Sequence, residues 1–246
     1  MTTEQAAELR ALHVPGKPLV LPNVWDAASA RAVEAAGFPA IATGSSAVAA
    51  VLGYDDGEAT PVHEMMAAVA RIVRVAGVPV TADVERGYGL SPAELVERLA
   101  ATGAVGCNLE DSDPRTKRRI DVEEQADFLA TVRQASADLV VNARVDTFIR
   151  GDASLSDAVL RGRRYLEAGA DCVYPIGVAA PGDIKALSDQ LDGRVNILFH
   201  PGTPTLSELA DLGVARISFG HGLHEASHAY ATTLITTIRD GGNPYP

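Results

Sequence analysis

Acidic side chains in this 246-residue chain gather just past short apolar runs rich in β-branched residues. Asp83 and Glu85 follow VPVTA, Glu110 and Asp111 follow VGCNL, and Arg144 and Asp146 close the run DLVVNARV. Carboxylates crowded into one cavity are costly unless something cationic neutralises them. Oxygen ligands select a hard cation, and a sparse set that leaves several waters in place suits Mg²⁺ better than a Ca²⁺ cage. Any one of these acids could instead cap a helix or pair with Arg86 or Arg144. The coincidence of Asp83, Glu85 and Glu110 is what points to a metal.

Further polar residues share such positions. Thr43, Gly44, Ser45 and Ser46 follow a second apolar run, and His200 follows VNILF, as a general base or as a hydrogen-bonded structural residue. Trp25 follows the first run and either lines a pocket or packs. Tyr88 sits in R-G-Y-G, where Gly87 and Gly89 allow a tight turn that aims Glu85. The loop holding Arg115, Lys117, Arg118 and Arg119 could close over a site, with Lys117 as anion clamp or mobile acid. A Schiff-base mechanism finds no amine: the other lysines, Lys17 and Lys185, precede the first run and fall within a helical stretch. His224-Glu225-Ala226-Ser227-His228 matches the zinc pattern H-E-x-x-H, but no His or Glu follows it to complete the ligand set.

These residues need a scaffold that brings distant strand ends together. Eight units of apolar run, turn and helical stretch succeed one another: Pro18 to Val24, Ala40 to Thr43, Val78 to Asp83, Ala104 to Leu109, Leu139 to Val145, Cys172 to Ile176, Val195 to Phe199 and Ala215 to Phe219. The intervening stretches carry helix-start signals at Asp26, Pro61, Ser91 with Glu94, Asp121 with Glu124, Ser154, Pro181 and Thr205. A helix over Thr3 to Leu12 precedes them, and the last runs from about Leu223 to Arg239. The runs are apolar throughout rather than alternating, as parallel strands covered on both faces are. Eight units with none left over predict the α/β class, a (β/α)₈ TIM barrel filling 1–246 as one domain. The turn after the first run, N-V-W-D-A, lacks the glycines of a doubly wound nucleotide site. In such a barrel the listed residues converge at the carboxyl ends of the strands, and the long connections 44–60 and 111–121 lie on that face.

Composition narrows the partners. A net charge of -11 repels nucleic acid and anionic membranes, and no stretch reaches the roughly 18 apolar residues a bilayer requires. Cys107 and Cys172 lie inside apolar runs, in neither a C-x-x-C pair nor a disulfide framework. The expectation is a cytoplasmic protein whose partner is a small molecule.

Taken in order, LPNVWDAASARAVEAAGF, TGSSAVAAVLGYDDGE, TADVERGYG, GCNLEDS, NARVDTFI and PGTPTLSELADLGVARISFG resemble the isocitrate lyase and phosphoenolpyruvate mutase superfamily over nearly the whole chain. The resemblance implies a barrel that binds Mg²⁺ and a 2-oxo acid or its enolate, in a homotetramer or dimer with an exchanged last helix. It places Asp83, Glu85 and Glu110 in the Mg²⁺ shell, Asp83 most directly. It makes Thr43 to Ser46 donors to the substrate carboxylate, sets Asp56 beside the reacting centre and gives Arg144 a second anionic group. Two departures matter. The segment DSDPRTKRRID lacks the K-[KR]-C-G-H loop of the isocitrate and methylisocitrate lyases, and it lacks the asparagine of the phosphonate-acting members. Glu85 also replaces the commoner Asp, a longer arm that can reach the ion through water. The expectation is an Mg²⁺-dependent lyase or decarboxylase that cleaves a C–C bond of an oxaloacetate-like or malate-like acid through an enolate. Phosphonopyruvate-type chemistry and a non-catalytic barrel that binds a 2-oxo acid stand as alternatives.

Overall fold

Pro22 divides the first strand in two. A proline has no N–H to give to a ladder, and in the computed structural model, which describes residues 2–150 and 153–245, the pairing changes sides there. β1 (Leu19–Leu21) pairs with β9 (Arg216–Ser218), and β2 (Asn23–Val24) pairs with β3 (Ile41–Thr43). From β3 the ladder continues through β4 (Val80–Asp83), β5 (Gly106–Glu110), β6 (Val140–Val145) and β7 (Cys172–Pro175), every pair parallel. β8 (Asn196–Leu198) pairs with β9, and a single parallel bridge, Val173 to Val195, joins the two arcs. With β1 and β2 counted as one bent strand, eight strands close the barrel.

The helices begin where the sequence signals them. Asp26 caps α2 (Ala27–Ala35) and Ser91 caps α5 (Pro92–Thr102), both as capping boxes, and Asp121 caps α6 (Val122–Ala135). α7 (Leu155–Glu167) starts after Ser154, α8 (Pro181–Gln190) after Ala180 and α9 (Leu206–Asp211) after Thr205. Pro61 is the cap of α4 (Val62–Val73) rather than its first residue. One helix was not expected: α3 (Ser45–Leu52) starts directly after β3, inside what reads as a long connection.

α1 (Thr3–Ala11) closes the amino end of the barrel, where Ala6 and Leu9 pack against Leu19, Leu21, Ala40 and Ala42. Gly106 makes room for it, since a Cβ there would sit 2.9 Å from Leu9 Cδ2. Above this plug the interior turns polar: Asn108, Asn142, Asn196 and Arg216 are all buried. The last helix, α10 (Gly222–Arg239), has no buried residue.

Candidate active site

The carboxyl ends of the strands open onto a cleft of about 220 Å³ lined by Asp56, Asp83, Arg144 and Ser46, with Asn108 and Ser218 among its deeper residues. Parallel register sets the spacing, because Asp83 stands beside Asn108 on the next strand and Glu110 beside Arg144.

Asp83 is fixed from one side only. Its Oδ2 accepts from the Ser45 N–H at 3.1 Å and the Ser45 hydroxyl at 2.8 Å, which places the carboxylate on the N-terminus of α3, and its own N–H donates to Thr43 Oγ1 at 2.9 Å. Oδ1 receives only a long contact, 3.4 Å from the Glu85 N–H, and remains open as a ligand. Of the four residues expected to hold a carboxylate, Thr43 and Ser45 thus serve Asp83, and the Gly44 N–H donates to Val24 O at 3.2 Å. Ser46 is left facing the cleft near a helix end whose first N–H groups lack intrahelical partners.

Glu85 lies behind Asp83 and is 3% exposed. Tyr88 Oη donates to its Oε1 at 2.8 Å and the Glu58 N–H to its Oε2 at 2.7 Å, while Glu58 Oε1 accepts from the N–H groups of Arg86 and Tyr88. Glu58, Glu85 and Tyr88 all hold positive φ, 61°, 51° and 58°, a conformation that costs a non-glycine residue free energy and collects at functional sites. Burial pushes Glu85 up to about 7, opposed by the Tyr88 hydrogen bond and reinforced by Asp83 and Asp56. Glu110 is likewise driven up by burial, and Arg144, whose Nη1 lies 2.5 Å from Oε2, draws it back.

Arg144 is oriented from behind. Its Nε donates to Asp146 Oδ1 at 2.6 Å, and the Asp146 N–H donates to Asp111 Oδ1 at 2.9 Å. Asp111, 0% exposed, accepts through Oδ2 from Arg161 at 2.9 Å and Tyr165 at 2.7 Å. A buried chain from α7 through the β5 end therefore fixes the cation in the cleft.

The acids fit a hard cation in donor chemistry. Besides burial, the negative charges of Asp83 and Asp56 help raise Glu85, and those of Asp146, Asp83 and Glu85 help raise Glu110, with Arg144 as the cation set among them. Among the described residues, however, no three His, Cys, Asp or Glu side chains form a ready-made metal cage. Of the three acids expected to hold the ion, Asp83 lines the cleft with its Oδ1 open, whereas Glu85 and Glu110 are buried beside it and hold Tyr88, the Glu58 N–H and Arg144 as partners.

Other expected residues are placed differently. Trp25 packs against the group of Val48, Met65 and Ala68, and its ring meets His224 edge-on at 5.0 Å. His200 lines a neighbouring hollow of about 710 Å³ that shares Leu198 and His221 with the cleft, and its Nδ1 lies 2.8 Å from Pro201 O. Lys117 is exposed on a folded loop pinned by the Ser112–Arg119 bridge, and its Nζ reaches Gly57, next to Asp56. The His224 and His228 rings meet at a tilt of 56° with centroids 4.3 Å apart on α10, outside any metal grouping of the described residues.

Sequence reasoning missed Asn23, Asn108, Tyr174, Arg150 and His221 as cleft residues. Asn23 ties the mouth together: its Nδ2 donates to Thr43 O, and its Oδ1 accepts from the N–H groups of Phe219 and Gly220. His221 Nε2 lies 3.4 Å from Glu225 Oε1, an imidazole–carboxylate pair at the rim. Burial lifts Tyr174 to about 12, so its phenol stays protonated.

Comparison with known proteins places the whole chain. The profile of a family described as phosphoenolpyruvate phosphomutase matches residues 9–239. An uncharacterized protein of Mycobacterium tuberculosis is 36% identical over 89% of this chain and 85% of its own length. An oxaloacetate decarboxylase of Rhodopseudomonas palustris is 30% identical over 98% of this chain and 87% of its own. A crystal structure from Burkholderia cenocepacia, provisionally described as a phosphonomutase, superposes with a TM-score of 0.90 at 43% identity, covering 95% of this chain and 99% of that one.

Proposed function

The chain belongs to the phosphoenolpyruvate phosphomutase family, within the isocitrate lyase and phosphoenolpyruvate mutase superfamily, and from that premise we propose a Mg²⁺-dependent carbon–carbon lyase or decarboxylase acting on a small 2-oxo dicarboxylic acid. The observation that carries this reading is Asp83, anchored through one oxygen and open through the other, in a cleft that also holds the Arg144 guanidinium. Asp83 would hold the ion directly, with Glu85 and Glu110 through water. When bound, the ion would supply fixed positive charge for the oxyanion that forms as the bond beside the keto carbon breaks.

The chain's own groups divide the remaining work. Arg144 binds one carboxylate, and the Asp146–Asp111 chain holds its guanidinium at the cleft wall. The first turn of α3 receives the other carboxylate through Ser46. Asp56 lies beside the reacting carbons, and Lys117 stands next to it as an anion clamp at the rim. His221, paired with Glu225, supplies the proton donor and acceptor that the missing lyase loop would otherwise carry. The likeness to the Rhodopseudomonas decarboxylase supports the oxaloacetate side of this reading.

Purified protein with Mg²⁺ is expected to release pyruvate from at least one acid in a panel of 2-oxo and 2-hydroxy dicarboxylates. Phosphate release from phosphonopyruvate, the chemistry favoured by the likeness to the Burkholderia structure, would replace the lyase reading. Tight binding of a 2-oxo acid without turnover would make the barrel a sensor. The exposed apolar side chains of α10, Tyr230, Ile235 and Ile238, support a homo-oligomer, dimer or tetramer, built on that helix. The free buried cysteines Cys107 and Cys172 support a cytoplasmic location, and no helix of the described residues is long and apolar enough to cross a membrane.

A further inference from the structure

Arg216 is a charge without a counter-charge. It is 1% exposed, on β9 two residues before Ser218, which lines the cleft. Its Nη2 donates to Asn108 Oδ1 at 3.3 Å, while Nε and Nη1 meet no protein acceptor, and among the described residues no carboxylate pairs with it. A guanidinium does not give up its proton in a protein. Burial of an unpaired ion is among the most expensive arrangements a fold can keep, and an apolar side chain of similar volume would remove the cost. The apolar cluster at the amino end of the barrel offers Arg216 no counter-charge either.

What the charge does appears one layer up. Asn108 Oδ1 accepts from both Arg216 and, at 2.9 Å, Asn142 Nδ2. With its carbonyl oxygen held by two donors from inside the barrel, the Asn108 amide has only its NH₂ left for the cleft it lines. The carboxylates of the mouth, Asp56 and Asp83 foremost, repel a dianion that Arg144 and Arg150 attract, and Arg216, two residues before the lining Ser218 on β9, adds a buried positive charge out of reach of solvent screening.

We infer that Arg216 is a positioning residue for small planar dicarboxylates, fixing the Asn108 amide as a donor and supplying positive potential beneath the cleft floor. This rests on the reading of the cleft as a 2-oxo acid site.

The test measures oxalate binding in the presence of Mg²⁺, by calorimetry, for the wild type, Arg216→Met and Arg216→Gln. Oxalate is the probe because it is a planar dianion shaped like the enolate of a 2-oxo acid. Both variants are expected to melt at or above the wild-type temperature, since a buried lone charge has been removed. Both should bind oxalate about tenfold more weakly, with the loss persisting at about 0.5 M salt. Unchanged affinity in either folded variant overturns the inference. So does failure of both to fold, because Arg216 would then belong to the scaffold. A wild type that does not bind oxalate removes the 2-oxo acid reading and this inference with it, whereas wild-type binding that the variants share removes the inference alone.

Discussion

Asp83 faces two ways, and the two sides have different consequences. Its Oδ2 holds the start of α3, and its Oδ1 is the open oxygen in the cleft. Asp83→Asn keeps an acceptor for the Ser45 donors but loses the charge, so the protein should fold with a near-wild-type melting curve and lose divalent-cation-dependent turnover. Unchanged kinetics in that variant would remove the metal assignment. Asp83 and Arg144 were legible because each stands where a strand run ends, and Asp56 was legible only through the family resemblance. Asn108 and Arg216 were not, because a polar residue inside an apolar run reads as an interruption. The available signal was parity: Asn108 precedes Glu110 by two, and Asn142 precedes Arg144 by two, so each pair shares a face of its strand. Trp25 shows the reverse limit, since sequence left packing and pocket-lining open and the contact with His224 draws it into packing.

At the scale of elements, α3 escaped the sequence because SSAVAAVL has no polar face to give a helical period, and its middle is buried. The division of the first strand at Pro22 was equally hidden, since both halves read as one apolar run. The ion-paired chain behind Arg144 depends on α7, and Asp111→Ala would remove the fully buried one of the two carboxylates that Arg161 holds, leaving it Asp157 alone. A loss of about 3 kcal/mol in urea unfolding is expected, with weakened substrate affinity as Asp146 loses its anchor; a loss below about 1 kcal/mol, the level of a surface ion pair, would count against the chain. His13, just past α1, gives a pH signature. Its Nδ1 lies 2.8 Å from Leu9 O, Nε2 is buried without a protein partner, and burial, helped by Arg216, lowers its pKa to about 4. The unfolded chain takes up the proton first, so this contribution is complete above about pH 6.5, declines as pH falls toward 4 and is flat below. The decline amounts to roughly 3 kcal/mol at most. His13→Asn should flatten that part of the stability–pH curve; a slope unchanged between pH 4 and 6.5 would refute the assignment.

At the scale of the whole molecule, the barrel was the most legible feature, because eight repeats of run, turn and helix leave little choice of topology. The oligomer was not legible beyond a resemblance, since only the folded chain shows that the surface of α10 stays bare. Ile235 is 65% exposed and Tyr230 64%. Size-exclusion chromatography should find the wild type as a dimer or tetramer and Ile235→Asp shifted toward the monomer; a monomeric wild type would end the proposal. The bend at Pro22 also bears on biosynthesis. β1 finds its partner about 200 residues later, so a nascent chain that has emerged only as far as β8 carries an unpaired ribbon edge at its beginning. Until β9 leaves the ribosome the ring stays open like an unclasped bracelet, and an unpaired strand edge in that interval is exposed to wrong pairing.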